Sequence, residues 1–383
     1  MSSFSEKMKK FKWKHYINYI VITALTVVFA IISAVGGLKS SSTILLEKIA
    51  ISIVLAVSLS LVVGFLGELS LGHAGFMCIG AYLGGKVASL LVPVMGNGAV
   101  TMLIALIVGG GCAAVFGFLV GLPALRLKGD YLAIVTLAFG EIVKVIFQQS
   151  ETFGGNLGLS TPNRPHKNTF FIVAFALVLF TLLIIQNLMR SKHGRAITAI
   201  RDNEIAARAT GIDVTKYKLI AFMISAFFAG IAGVMFSYTN SSIQAVKFGY
   251  NYSIEILVMV VLGGMGSING SILAATLITI LNEKLRTVLT GDLAVLKDLL
   301  YALILIVIVI YNNAPALKGF REKYNFRNLA AKIWHPKDDP SIVKDDAASW
   351  DKVPTKIKMD EILSVDLKVG NEFTPDKPSK GDK

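Results

Sequence analysis

The chain has 383 residues, of which 54% are hydrophobic and only 16% charged. Soluble domains carry roughly a quarter charged residues, and here the apolar residues are bunched into runs near the roughly 20 residues that a helix needs to cross a bilayer core, so a soluble globular protein is excluded. The formal net charge of +13 does not mark a nucleic-acid protein, because the basic residues flank apolar segments, as the positive-inside rule expects of cytoplasmic loops.

Residues 1–16 place five lysines ahead of the first apolar run, 17–37. That run exceeds the core of a signal peptide, and Gly36-Gly37-Leu38-Lys39-Ser40 offers no small-residue cleavage pattern. It is predicted to be a helix whose N-terminus is cytoplasmic. Further spans are predicted at 44–65, 73–92, 99–122, 131–147 and 169–189, then at 217–240, 252–264, 269–285 and 297–312. The basic segment 190–218 follows the sixth span. An even number of crossings must then lie beyond it for the charge clusters to agree. That holds if 252–285 is a hairpin turning at Gly263-Gly264-Met265-Gly266, where glycines allow positive φ at little steric cost.

The expected fold is an all-α integral membrane protein of about ten transmembrane helices with both termini cytoplasmic, or eight or nine if 64–92 is a re-entrant segment. The transmembrane domain spans 17–312 and includes a cytoplasmic loop at 190–216. The tail, 313–383, alternates lysine with acidic residues and carries Pro336, Pro340, Pro354, Pro375 and Pro378. It cannot bury enough apolar surface to offset its ordering entropy and reads as solvated cytoplasmic chain, with Trp334 and Trp350 as docking candidates. Cys78 and Cys112 lie within apolar segments and read as small hydrophobes rather than a disulfide or metal pair.

Ionisable groups inside spans are costly and become candidates for a translocation path. Glu68, Ser70 and His73 belong to a polar stretch broken by glycines, and irregular backbone at membrane depth is tolerated only where it is buried or lines a cavity. Helix–helix contact is the alternative there. Glu141 sits three residues before Lys144, so pairing competes with transport. Glu255 falls near the outer end of its span, and Glu283, Lys284 and Arg286 fall near an interface and snorkel. The pairs Gly80/Gly84 and Gly117/Gly121 read as small-residue packing sites.

Within the basic loop, a short helix is predicted from Asp202, its N-cap, with Glu204 in the first turn and Gly211 ending it. Ile205, Ala206 and Ala209 share one face, and Glu204 and Arg208 pair on another. So short a helix is unstable alone and needs a surface, either its own membrane helices or a separate protein.

The string Asn203-Glu204-Ile205-Ala206-Ala207-Arg208-Ala209-Thr210-Gly211 resembles the Glu-Ala-Ala…Gly loop of ABC importer permeases, with Ile205 as an extra residue relative to the generic motif. Gly67-Glu68-Leu69-Ser70-Leu71-Gly72-His73-Ala74-Gly75-Phe76, Lys128-Gly129-Asp130-Tyr131-Leu132-Ala133, Tyr217 to Gly233 and Val261-Leu262-Gly263-Gly264-Met265-Gly266-Ser267 resemble, in order, the permeases for branched-chain amino acids. The resemblance covers about 45–312. It implies a coupling helix, with Asn203, Glu204, Ala206, Ala207, Arg208 and Gly211 meeting an ATPase groove. It implies leucine, isoleucine and valine as substrates; urea, short amides or other amino acids are the nearest alternatives. The implied partners are ABC ATPase subunits, a second homologous permease subunit, a periplasmic or lipid-anchored substrate-binding protein and membrane lipid, in a bacterial cytoplasmic (inner) membrane.

No catalytic constellation, cofactor loop or metal-ligand spacing is present in the sequence, and the chain reads as a transport subunit rather than an enzyme. Gly80 to Val87 nearly spells a phosphate loop, but Val87 replaces the required hydroxyl and no strand precedes it. A secondary transporter or channel without an ATPase partner is the competing class; it predicts ion-coupling carboxylates at mid-membrane.

Overall fold

The computed structural model describes residues 17–34, 40–127, 129–161 and 170–288, together with 302, 303 and 306. The predicted N-terminal segment 1–16, Lys128, the tail 313–383 and, those three positions apart, the span 297–312 lie outside the described residues.

Helix α1 is Ile17–Ala34 and α2 is Ser40–Leu66, whose last turn, Leu61–Leu66, is π-helical. Residues 67–72 run without regular structure to α3, His73–Met95, which carries a π turn at Gly80–Gly84. Then come α4 (Ala99–Ala124), α5 (Asp130–Gln149), α6 (Phe170–Arg190), α7 (Lys192–Asp202) and α8 (Glu204–Ala209). Finally come α9 (Val214–Thr239), α10 (Tyr250–Gly263) and α11 (Ile268–Val288). Two short strands, β1 (Leu159–Ser160) between α5 and α6 and β2 (Ser242–Ile243) between α9 and α10, pair antiparallel.

Every predicted span that falls on described residues is a helix. The reason is physical: in hydrocarbon, only a helix or a closed barrel satisfies each backbone polar group. Five described helices are long and apolar enough to cross a membrane, namely α2, α3, α4, α6 and α9. The fold is therefore an all-α, multi-pass membrane fold. Within 64–92, the alternative re-entrant element in the sequence, residues 64–66 close the π turn, 67–72 are irregular, and a 23-residue helix follows that is long enough to cross by length and composition.

A helix that is apolar all round belongs in the middle of a bundle, and α2 is such a helix: 94% of its most apolar window is buried, against 33% for α4. Around α2 pack α6, α9 and α11, while α9 also lies along α3 and α4. Close approach at α9 depends on small residues. A Cβ built on Gly80 of α3 would strike the Gly230 backbone, and one on Gly233 would strike the Met77 carbonyl. Gly117 and Gly121 of α4 likewise face Ala226, and Leu219 with Phe222, on α9. The predicted hairpin is present: α10 and α11 pack together, with Gly264 and Gly266 at φ of +89° and +81° in the turn.

Candidate functional site

The loop after α6 holds two helices where one was expected. Ser191 caps α7 by accepting from the His193 and Gly194 amides at 3.1 and 3.4 Å. Asp202 is the last residue of α7 and is ion-paired with Arg201 at 2.9 Å, so it is not the N-cap of the short helix. That cap is Asn203, whose Oδ1 accepts from the Ile205 and Ala206 amides, both at 3.0 Å. Both side chains are good caps; the extended backbone at Asn203, φ −159° and ψ 104°, decides between them.

The C-terminus of α8 closes with two reciprocal bonds. Gly211 N–H donates to the Arg208 carbonyl and Ile212 N–H to the Ala207 carbonyl, both at 3.1 Å. This is a Schellman arrangement, which needs the left-handed residue that Gly211 supplies at φ +85°. The helix is held to the protein by Ala207, buried in a cluster with Leu61, Leu66, Ile197, Ile200 and Val214. Ala206 and Ala209 face outward, and Ile205 is 80% exposed. The face expected to seek a surface is thus the open one, and α8 rests on the opposite side.

Beneath α8 lies a charged chain of contacts. Arg208 donates to Glu204 at 3.0 Å, the helical i,i+4 pair expected from the sequence. Glu204 also meets Lys218 of α9 at 3.4 Å, and Lys218 forms a second, shorter ion pair with Glu68. The Lys218 and Glu68 side chains are only 4% and 11% exposed. Beside them Arg201 donates to the Gly64 carbonyl at 3.2 Å, against the π turn that ends α2. A cavity of about 430 Å³ opens here, lined by Arg126, Glu204, Arg208, Thr215 and Lys218 among others. Sequence reasoning missed both Lys218 and Arg201. A cation at the start of an apolar run reads as an ordinary boundary lysine, and only its burial sets it apart.

Of the other expected path residues, Ser70 and His73 lie on the stretch that packs against α5 at Thr136 and Gly140, next to Glu141, whereas Glu255 faces a different cavity. Ser70 is buried in the irregular 67–72 stretch, where the Leu71 amide donates to Thr136 Oγ1 at 3.0 Å. His73 is buried, with Nε2 2.9 Å from Ser58 Oγ. The next amide, Ala74, donates to Ser253 Oγ at 3.1 Å. Glu141 pairs with Lys144 and accepts from the Tyr250 amide at 2.7 Å, placing a carboxylate at the N-terminus of α10 where the helix dipole favours it. Glu255 accepts from Asn282 at 2.9 Å and faces a cavity of about 400 Å³ between α2, α10 and α11.

Glu283 meets Lys48 at 2.7 Å and Arg286 at 4.0 Å beside that cavity, while the Arg286 side chain itself stays 65% exposed. Glu68 thus joins Glu204 rather than Glu255. The string Gly80 to Val87 is helical throughout, and Lys86 donates to the Thr152 carbonyl at 3.1 Å. Among the described residues, no three His, Cys, Asp or Glu side chains are grouped as metal ligands.

Residues 41–309 match the family described as "Branched-chain amino acid transport system / permease component". The chain is 36% identical over 314 residues to the high-affinity branched-chain amino acid transport system permease protein LivM of Escherichia coli (strain K12), covering 74% of this chain and 71% of that protein. It is 39% identical over 268 residues to LivM of Salmonella typhimurium, covering 62% of this chain and 61% of that relative's length. A more distant similarity, 26% over 317 residues, links it to the ribose import permease protein RbsC of Escherichia coli (strain K12), over 76% of this chain and 92% of the relative. No solved structure matches the chain.

Proposed function

This chain belongs to the permease component family of branched-chain amino acid transport systems, and from that premise we propose that it is a membrane-spanning subunit of an ABC importer for leucine, isoleucine and valine. The substrate choice draws on the LivM relatives, which are more similar to it than the ribose permease is. ATP is hydrolysed by partner ATPase subunits, a second permease subunit completes the membrane unit, and an external binding protein delivers the amino acid. The α8 end faces the cytoplasm of a bacterial inner membrane, with both termini on that side.

One observation carries this reading: α8 is capped at both ends, anchored by a single buried alanine, and presents Ile205 outward. Among the described residues nothing covers this isoleucine on its six-residue helix, and it fits a groove on another protein. Asn203, Glu204, Ala206, Ala207, Arg208 and Gly211 set the helix's shape and charge. Movement of α8 passes through Glu204, Lys218 and Glu68 to the irregular stretch that contains Ser70 and leads to His73. Rigid contacts of this kind transmit a push, because packed elements shift between discrete arrangements rather than stretching. The competing secondary-transporter reading requires a mid-membrane carboxylate free to bind an ion, and Glu141 is committed to Lys144 and the Tyr250 amide.

The test is reconstitution in proteoliposomes with and without the ATPase, second permease and binding-protein subunits. Uptake of labelled leucine is expected only with all components and internal ATP. Uptake driven by an ion gradient with the ATPases absent would sink the proposal.

A further inference from the structure

The last turn of α7 places Arg201 where three backbone segments meet. Its Nη1 donates to the Gly64 carbonyl at 3.2 Å. That carbonyl lies in the π turn ending α2, where helix carbonyls run out of intrahelical donors and the dipole favours a cation. The aliphatic stem of Arg201 crosses Gly67, the first residue of the irregular 67–72 stretch: a Cβ built there would stand 2.7 Å from Arg201 Cγ. The third segment is the α10–α11 turn. A Cβ on Gly64 would stand 2.5 Å from the Gly266 nitrogen, and one on Gly266 would stand 3.4 Å from both Arg201 Nη1 and the Gly64 carbonyl oxygen. Gly67 and Gly266 also hold left-handed φ, +79° and +81°. The notch admits the guanidinium because neither position carries a side chain.

The rest of the guanidinium is turned toward α8. Nε and Nη2 donate to Asp202 Oδ1 at 3.1 and 2.9 Å, and the next residue, Asn203, is the cap of α8. At 39% and 67% exposed, this ion pair adds little stability in itself. What arginine supplies is shape: a planar fork that bonds on two sides at once holds one orientation, which a point charge cannot do. Behind it, Ile197 and Ile200 of α7 are buried with Leu61 and Leu66 of the π turn, so α7 and the end of α2 form one packed body.

We propose that Arg201 is a positioning residue for transport: it fastens the α10–α11 hairpin to the cytoplasmic loop, so that a push on α8 carries the hairpin along with the end of α2. This route is distinct from the one through Glu204 and Lys218, which enters by α9, and the two converge on adjacent residues, Gly67 and Glu68. The hairpin passes the movement on through α10. Ser253 Oγ accepts from the Ala74 amide of α3 at 3.1 Å, and the Tyr250 amide donates to Glu141 of α5 at 2.7 Å.

This inference rests on the reading of the chain as an ABC importer subunit, and the experiment separates the two. Spin labels are attached at two exposed positions, Leu273→Cys on α11 and Leu119→Cys on α4, in the assembled transporter carrying Cys78→Ala and Cys112→Ala. Their separation is measured by double electron–electron resonance before and after trapping with ATP and vanadate, and leucine uptake per ATP hydrolysed is measured on the same proteins. With Arg201 present, trapping is expected to shift the separation. Arg201→Met keeps the stem over Gly67 but removes every donor; it should abolish the shift and lower uptake per ATP by at least about 5-fold. Arg201→Lys, which restores one cationic donor without the fork, should recover part of both. If the methionine variant does not assemble, Arg201→Gln, polar at this part-exposed site and too short to reach Gly64, gives the same reading. No shift with Arg201 present would overturn the proposal. So would a full shift and an unchanged ratio in the methionine or glutamine variant, even with lowered stability, since that result marks a purely structural arginine. Absence of ATP-dependent leucine uptake by the wild-type complex would instead fail the importer reading itself.

Discussion

Replacing Lys218 by methionine is the sharpest probe of the link between α8 and the membrane helices. The side chain is 4% exposed and ion-paired with Glu68, itself 11% exposed, while Glu204 stands farther off at 3.4 Å. Removing the cation strands the Glu68 carboxylate in a buried place, and breaking a buried pair from one side costs about 3–5 kcal/mol. The longer, partly exposed Glu204 contact adds at most about 1 kcal/mol. Replacing both members restores a neutral, packed pair. Lys218→Met with Glu68→Gln should therefore be less destabilised than Lys218→Met alone, with a coupling of about 2–3 kcal/mol in a double-mutant cycle.

The assay is unfolding of the purified complex in mixed micelles, followed by circular dichroism, with uptake per ATP hydrolysed measured in parallel. The lysine variant should lose between about 5-fold and 150-fold in that ratio, the span of ordinary coupling free energies. A Lys218→Met protein within about 0.5 kcal/mol of wild type would refute the argument, as would strictly additive effects of the two substitutions.

Ile205→Glu, at an exposed position, should change stability by less than about 0.5 kcal/mol yet abolish co-purification of the ATPase subunits. Gly211→Val puts a β-branched residue at φ +85°, where no neighbouring atom interferes, so backbone strain of about 1–2 kcal/mol acts alone; it and Glu204→Lys should leave membrane insertion intact while separating ATP turnover from uptake, and normal uptake in both would count against the coupling role. Gly233→Leu drives a side chain into the Met77 carbonyl and Ala81 amide, backbone atoms that cannot step aside, and should cost about 3 kcal/mol or more with loss of folded protein on gel filtration.

Much of the scaffold was legible because the bilayer imposes it. Runs such as 44–65 and 99–122 had to be helices, and the Gly263–Gly266 string had to be a turn once charge parity was required. What stayed hidden depends on contacts remote in sequence. Lys218 and Glu68 are 150 positions apart, and neither residue's neighbours betray the other. The misplaced cap has a local cause. Asp202 and Asn203 are adjacent and equally suited, and the choice turned on Asp202 being drawn into α7 beside Arg201. Which of the two surfaces the Ile205 face of α8 seeks stayed open in the sequence, because six residues are too few for periodicity to reveal which side is covered. The candidate path residues were chosen for charge inside spans and for the glycine-broken stretch at 67–76, and neither signal shows that Glu68 pairs with Lys218 while Glu255 faces another cavity.

Helix α10 has only 14 residues, a rise of about 21 Å against a hydrocarbon layer about 30 Å thick. Even standing upright, it falls about a third short of that thickness, and residues 240–249, with β2 and a 3₁₀ turn at Ala245–Phe248, lead into it. The rest of that thickness must therefore be closed by neighbouring elements rather than by α10 itself.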